Sequence, residues 1–297
     1  MPNAADVDGV IQQVRFELYR DNVEGALRVL ETAQAARPDP RYRAEADKIQ
    51  AWLSHLKSRD AYAGAYERYY RAARGVTGLK RLERQIRTLI GRKTRKMVAH
   101  TAEHPEFKLL EREVMALGST RVLDAGAGEG RVALTLGARH PEIQVDGVEV
   151  SPTNIGIALR LNRFPNVTFH RGLIEELDRF FTPAAFDLAY SFGVLEHVRD
   201  LDETVEMIFK MLRPGGRFCF VVPMNELRVT GPIPEFVPDE DMLGHIRVFT
   251  EAGLRERFGG RAGFFVHKMP GQWRPGRLPD CFVPVEYGSF FGGFSKA

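Results

Sequence analysis

The stretch VLDAGAGEG, Val122–Gly130, ends an apolar run with three glycines separated by one small and one acidic residue. A glycine turn between a strand and a helix lets the backbone approach a ligand closely, and the helix N-terminus behind it favours negative charge. A triphosphate loop carries Lys and then Ser or Thr after its last glycine, whereas Gly130 is followed by Arg131 and Val132. A dinucleotide loop reads G-x-G-x-x-G. Here the third glycine comes one place early and Glu129 stands beside it. An acidic side chain at a helix N-terminus repels a pyrophosphate. It does not repel a ligand carrying an ammonium and a sulfonium. Asp124, ahead of the loop, can accept from an amino group or an ordered water.

The surroundings of the loop set the fold class. From Arg121 onward, short apolar or β-branched runs alternate with helical stretches: RVLDAG, IQVDGVEV, VTFHRG, FDLAYSF and RFCFVVP. That alternation implies a parallel sheet with helices on both faces. Before it, no strand-like run occurs. Apolar residues recur at helical spacing, as in Val10, Val14 and Leu18, and again in Leu27 and Leu30. The chain therefore divides into an all-helical module, residues 1–115, and a doubly wound α/β domain, residues 116–297.

These segments are similar to those of the class I S-adenosylmethionine-dependent methyltransferases over roughly Thr120 to Lys296. The D-x-G-x-G-x-G run resembles that family's cofactor loop, which implies cofactor contacts at Asp124, Gly126, Gly128 and Gly130. Glu149 ends the second strand, 19 residues after Gly130, where the family places an acid on the ribose hydroxyls. Two carboxylate oxygens can accept from both hydroxyls. VTFHRGLIEEL resembles the third-strand segment. The family usually has Asp where Leu173 stands, so adenine contacts fall to the amides of Leu173 and Ile174 or to a carboxylate such as Glu175. FDLAYSFGVLEHV resembles strand four of ubiquinone-type small-molecule O-methyltransferases, which places Ser191 and Phe192 beside the methionine end. LRPGGRFCFVVP fits a turn into strand five. GHIRVFTEAGLRERFGGRAGF resembles the following helix. GFFVHKM and GSFFGGFSK read as a terminal antiparallel hairpin. The fold implied is a Rossmann-like seven-stranded sheet, with S-adenosyl-L-methionine as cofactor and a small-molecule acceptor, methylated at oxygen.

Removing a hydroxyl proton calls for a base, and a neutral histidine suits pH 7. His197, directly after strand four, and His245, in the insert after strand five, are the candidates. Relatives that bind a divalent metal through an E-x-x-E-H segment have an acid where Gly193 stands. Glu196 and His197 alone make too few ligands, so no metal is expected. Met224 to Leu243, with three prolines, reads as a lid loop. Tyr66, Tyr69 and Tyr70 could line the acceptor pocket or fill the core, and Trp273 lies in the excursion between the last two strands, another place the resemblance puts acceptor contacts. No Asn/Asp-Pro-Pro-aromatic loop follows strand four. Cys219, inside strand five, reads as an inert thiol rather than a nucleophile.

The helical module has two suggestive features. DNVEGALRVLETAQAARPD resembles the second half of a tetratricopeptide repeat, with Ala26, Leu30, Ala33 and Pro38 at its characteristic positions. A partial echo at Ala65, Tyr69 and Ala72 is displaced by 39 residues rather than roughly 34. A partner surface and a plain helical cap both explain the pattern. Leu79–Lys96 holds eight Lys or Arg and one Glu, with Leu79, Leu82, Ile86 and Leu89 on one face. Such a helix can meet anionic lipid or nucleic acid. Packing on the domain, a second copy or a protein partner is the simpler reading, and nucleic acid is not expected. A regulatory cofactor-binding protein and an RNA methyltransferase remain the alternatives.

The bulk composition agrees with this picture. The 297 residues are 44% hydrophobic with a net charge of +3, enough for a full domain plus a smaller module. The two cysteines form no metal or disulfide spacing. No apolar run approaches a membrane span, and the N-terminus lacks a basic-then-apolar signal pattern. A cytoplasmic protein is expected.

Overall fold

The computed structural model describes residues 7–19, 22–57, 92–232, 247, 249–271 and 282–297. Seven strands form one sheet in the order β3-β2-β1-β4-β5-β7-β6. They are β1 (Arg121–Ala125), β2 (Gln144–Glu149), β3 (Val167–Arg171), β4 (Phe186–Phe192), β5 (Leu212–Val229), β6 (Phe265–Pro270) and β7 (Phe282–Ser295). The first five are parallel, and β7 runs antiparallel to both β5 and β6. The Rossmann-like sheet with its terminal antiparallel hairpin is thus present.

Neighbouring residues of one strand face opposite sides of the sheet, and both sides are dry. Leu123, Ala189, Phe218 and Phe220 belong to one core cluster, while Val122, Leu188, Tyr190 and Cys219 belong to the other. Strands buried on both faces read as near-continuous apolar runs, which is why the sequence marks them so clearly. Helices from between the strands cover the two sides.

On the Val122 side lie α5 (Pro105–Ala116), α6 (Arg131–Arg139) and α7 (Pro152–Leu161), with α4 (Arg92–Ala102) against α6. On the Leu123 side lie α8 (Leu201–Met211) and α9 (Glu251–Phe258). Phe107, Leu110 and Val114 of α5 are almost fully buried against the sheet. The last helix before residue 116 therefore shares the sheet's core.

Among the described residues before α4, α1 (Val7–Tyr19), α2 (Val23–Ala36) and α3 (Pro40–Lys57) pack around a small core of their own. The helical spacing of Val14 and Leu18, and of Ala26 and Leu30, places all four in that core. Asn22 caps α2, its side-chain oxygen accepting from the Gly25 amide at 3.1 Å, a contact that stabilises a helix start by about 1 kcal/mol.

Two stretches differ from the expectation. Pro214-Gly215-Gly216 is not a turn before the strand. Leu212 pairs with Phe186 and Arg217 with Leu188, so the residues between them bulge from β5, with Gly215 at φ +75°. Met224–Val229, expected as the start of a lid loop, is strand. It pairs with β7 beyond the point where Phe192 ends β4, so β5 and β7 extend past the sheet edge as a two-stranded ribbon. The ladder supplies backbone partners that a loop would lack. Val229 at the ribbon tip packs against the core of α1–α3.

Candidate functional site

Each glycine of the loop has a separate reason. Gly126 has φ +93°, and a Cβ there would lie 2.5 Å from a Val194 methyl. Gly130 has φ +76°, and its Cβ would lie 2.6 Å from the Phe169 ring and 3.1 Å from Ala158. It is the residue that lets α6 start against β3 and α7. Gly128 has φ +54°, and an added Cβ would meet nothing within 4 Å. It faces open space, the only one of the three where a ligand could take the room.

The loop is pinned to the end of β2. The Gly126 and Ala127 amides both donate to the Val148 carbonyl, at 2.9 and 2.8 Å. Glu149, next along, is 3% exposed. Its Oε2 accepts from the Gly128 amide at 2.8 Å and its Oε1 from the Ser151 amide at 2.7 Å. Ser151 in turn caps α7, its hydroxyl accepting from the Asn154 amide. One carboxylate thereby organises the ends of β1 and β2 together.

Asp124 is buried beneath this arrangement. Burial pushes its carboxyl up to about 7; the Tyr190 hydroxyl opposes that, and the charge of Glu149 adds to it. Glu129, read as a charge against pyrophosphate, is paired with Arg131 at 3.1 Å, which offsets part of that charge.

A cleft opens beside the loop. Gly126, Glu149, Leu173 and Ile174 line it, together with Glu175. Burial raises the Glu175 carboxyl, against its own backbone amide and the Thr204 hydroxyl, which donates to it at 3.2 Å. Val194 and Val198 form the apolar wall of the cleft. Sequence reasoning misses them because the charged residues of GVLEHV draw the eye, although the i, i+4 valine spacing is a legible signal.

The other expected residues surround the cleft rather than line it. Ser191 is fully buried at the carboxyl end of β4, and its hydroxyl has no partner among the described residues. Phe192 stacks edge-on with Tyr190 and Phe291, at 5.4 and 6.2 Å between centroids. His197 is 4% exposed, with Nε2 4.0 Å from Glu196 Oε1. Among the described residues no group of three His, Cys, Asp or Glu could hold a metal. Cys219 is buried in β5, and burial pushes its thiol far above the usual range, so it carries no thiolate near neutral pH. No helix among the described residues is long and apolar enough to cross a membrane. His245, Trp273, Tyr66, Tyr69, Tyr70 and the apolar stripe Leu79–Leu89 lie outside the described residues.

A family model described as a methyltransferase domain matches residues 79–268. Over 105 residues the chain is 32% identical to trans-aconitate 2-methyltransferase of Deinococcus radiodurans, 35% of this chain and 38% of that protein. Over 117 residues it is 25% identical to malonyl-[acyl-carrier protein] O-methyltransferase of Bacillus cereus, 39% of this chain and 42% of that protein. The matches thus span about two fifths of the length of these curated relatives. Among solved structures, the YcgJ protein of Bacillus subtilis is 18% identical, with 65% of this chain and 99% of that one covered at a TM-score of 0.49.

Proposed function

Since the chain belongs to the methyltransferase-domain family, we propose that it moves a methyl group from S-adenosyl-L-methionine to an oxygen of a small-molecule acceptor. The observation that carries this reading is the Glu149 carboxylate, held by the Gly128 and Ser151 amides at the rim of the cleft. The residues present fit the cofactor. Open space at Gly128, the Ser191 hydroxyl at the end of β4, unpartnered among the described residues, and the adjoining cleft support a bound nucleoside with a polar tail.

When bound, S-adenosyl-L-methionine supplies a methyl group on a good sulfonium leaving group. Glu149 would accept from the ribose hydroxyls. The amides of Leu173 and Ile174, with the Glu175 carboxyl, would meet the adenine. Val194 and Val198 would exclude water from its face. Asp124 would accept from the amino group, and Ser191 and Phe192 would flank the methionine end. His197 and His245 are the proposed bases, serving to take the acceptor proton as the oxygen is aligned with the methyl. A reducing cytoplasm suits an enzyme with these two thiols.

Calorimetric titration with S-adenosyl-L-methionine and S-adenosylhomocysteine tests the cofactor. Incubation with methyl-labelled donor and a panel of carboxylates, phenols, sugars and amines tests the acceptor. Both ligands should bind, and label should appear on an oxygen. Label only on amines would remove the oxygen assignment, and no binding by either ligand would remove the whole reading.

A further inference from the structure

The loop between β4 and α8, Gly193–Asp200, forms the apolar wall of the cleft through Val194 and Val198 and carries His197. It has little ladder pairing of its own. The Gly193 amide donates to the Val221 carbonyl and the His197 amide to the Val194 carbonyl, both at 2.8 Å. Three of its carbonyls are met by one distant side chain. Arg247, 4% exposed, donates through Nη1 to the carbonyls of Leu195, at 2.8 Å, and Val198, and through Nη2 to that of Arg199 at 3.3 Å. Its Nε lies 3.6 Å from Glu24 Oε1 in the first turn of α2. Phe249, two residues on, sits in the sheet core and bridges to Met224, which fixes the backbone from which Arg247 reaches.

We propose that Arg247 is a positioning residue that locks the Gly193–Asp200 loop in its cleft-forming shape and links that shape, through Glu24, to the docking of helices α1–α3. The inference rests on the cofactor reading of the cleft. A guanidinium is suited to this role because its rigid fork serves several acceptors while another edge faces a carboxylate. Buried loop carbonyls that lose their donor are costly to leave unpaired. A lysine ammonium at the same place is a point charge that cannot span three carbonyls and reach Glu24. The coupling is reciprocal by linkage: whatever tightens the loop tightens α2.

Hydrogen exchange and calorimetry on the full chain test this. In Arg247→Lys without ligand, the amides of Val194–Val198 should exchange at least about tenfold faster. S-adenosylhomocysteine should bind at least about tenfold more weakly, while far-ultraviolet dichroism stays as in the wild type. Wild-type exchange of that loop in Arg247→Lys would overturn the lock, whether or not the wild type binds S-adenosylhomocysteine. A wild type that binds none overturns the cofactor reading alone. Should Arg247→Lys fail to fold, Glu24→Lys decides. In the wild type, S-adenosylhomocysteine should slow exchange along Val23–Ala36, and in Glu24→Lys that remote protection should be lost. Equal protection in both chains, or none in the wild type that binds the ligand, would overturn the link.

Discussion

Glu149 Oε2 accepts the Gly128 amide at 2.8 Å, so the carboxylate that ends β2 also holds the mouth of the loop that ends β1. Its other oxygen holds the Ser151 amide at the start of α7. Glu149→Ala therefore removes a proposed ribose acceptor and two internal bonds at once. Hydrogen bonds to a charged group are worth about 1.5–3 kcal/mol each. We expect S-adenosylhomocysteine affinity to fall at least about tenfold and unfolding stability to fall by about 3–6 kcal/mol for the two bonds together. Glu149→Gln keeps an acceptor oxygen and should lose less stability. Calorimetry and urea unfolding measure the two effects, and normal ligand binding by Glu149→Ala would remove the ribose role.

The loop glycines separate packing from binding. Gly126→Ala and Gly130→Ala each drive a methyl into a neighbour, Val194 or Phe169, on top of a left-handed backbone. Overpacking of this kind costs about 1–3 kcal/mol, and the backbone adds about 1–2 kcal/mol. Gly128→Ala meets no neighbour and carries only the backbone cost. Urea unfolding should rank Gly128→Ala as the mildest of the three. Calorimetry should nonetheless find its ligand affinity reduced, because the added methyl occupies the open side. A Gly128→Ala protein that binds as the wild type would place the ligand elsewhere.

What the sequence revealed and what it hid follow from the reach of each interaction. The strands were legible because both sheet faces are dry, so Val122 and Leu123 are both apolar, and the turn signal at Gly126–Gly130 breaks the run. The pairing of Glu149 with Gly128 was not legible, since it joins residues 21 apart through a geometry no spacing rule encodes. The same holds for Arg247, which reaches back 49 residues to the Val198 carbonyl. The ribbon at Met224–Val229 was hidden because three prolines farther along, at 232, 234 and 238, gave the whole stretch a loop-like composition. Its β7 partner lies far on in the chain.

His197 tests whether a base is used. Its ring is buried beside the cleft wall rather than lining the cleft, so a role in proton transfer requires the acceptor to reach it. His197→Ala should lower turnover by about 10²-fold or more, the usual contribution of a positioned general base, once an acceptor is found. Affinity for S-adenosylhomocysteine should change by less. A joint fall in ligand affinity and melting temperature, with kcat retained, would make His197 a packing residue.

Asp124 makes the protein's stability depend on pH. Its folded-state value of about 7 stands above the ordinary 3.8, chiefly through burial. The folded protein therefore favours the neutral carboxyl. That contribution is fully present below the unfolded value and is lost as pH rises through about 7. Across this window the loss is at most about 4 kcal/mol, since each pKa unit is worth about 1.4 kcal/mol. Asp124→Asn lacks the titration, so its stability relative to the wild type should rise from pH 4 to pH 7 in urea unfolding. A ligand ammonium beside Asp124 would favour the ionised form, so binding at pH 6 should release a proton. Calorimetry in two buffers of different ionisation heat reads that release directly. No buffer dependence at pH 6, or the same dependence in Asp124→Asn, would take the amino group away from this carboxylate.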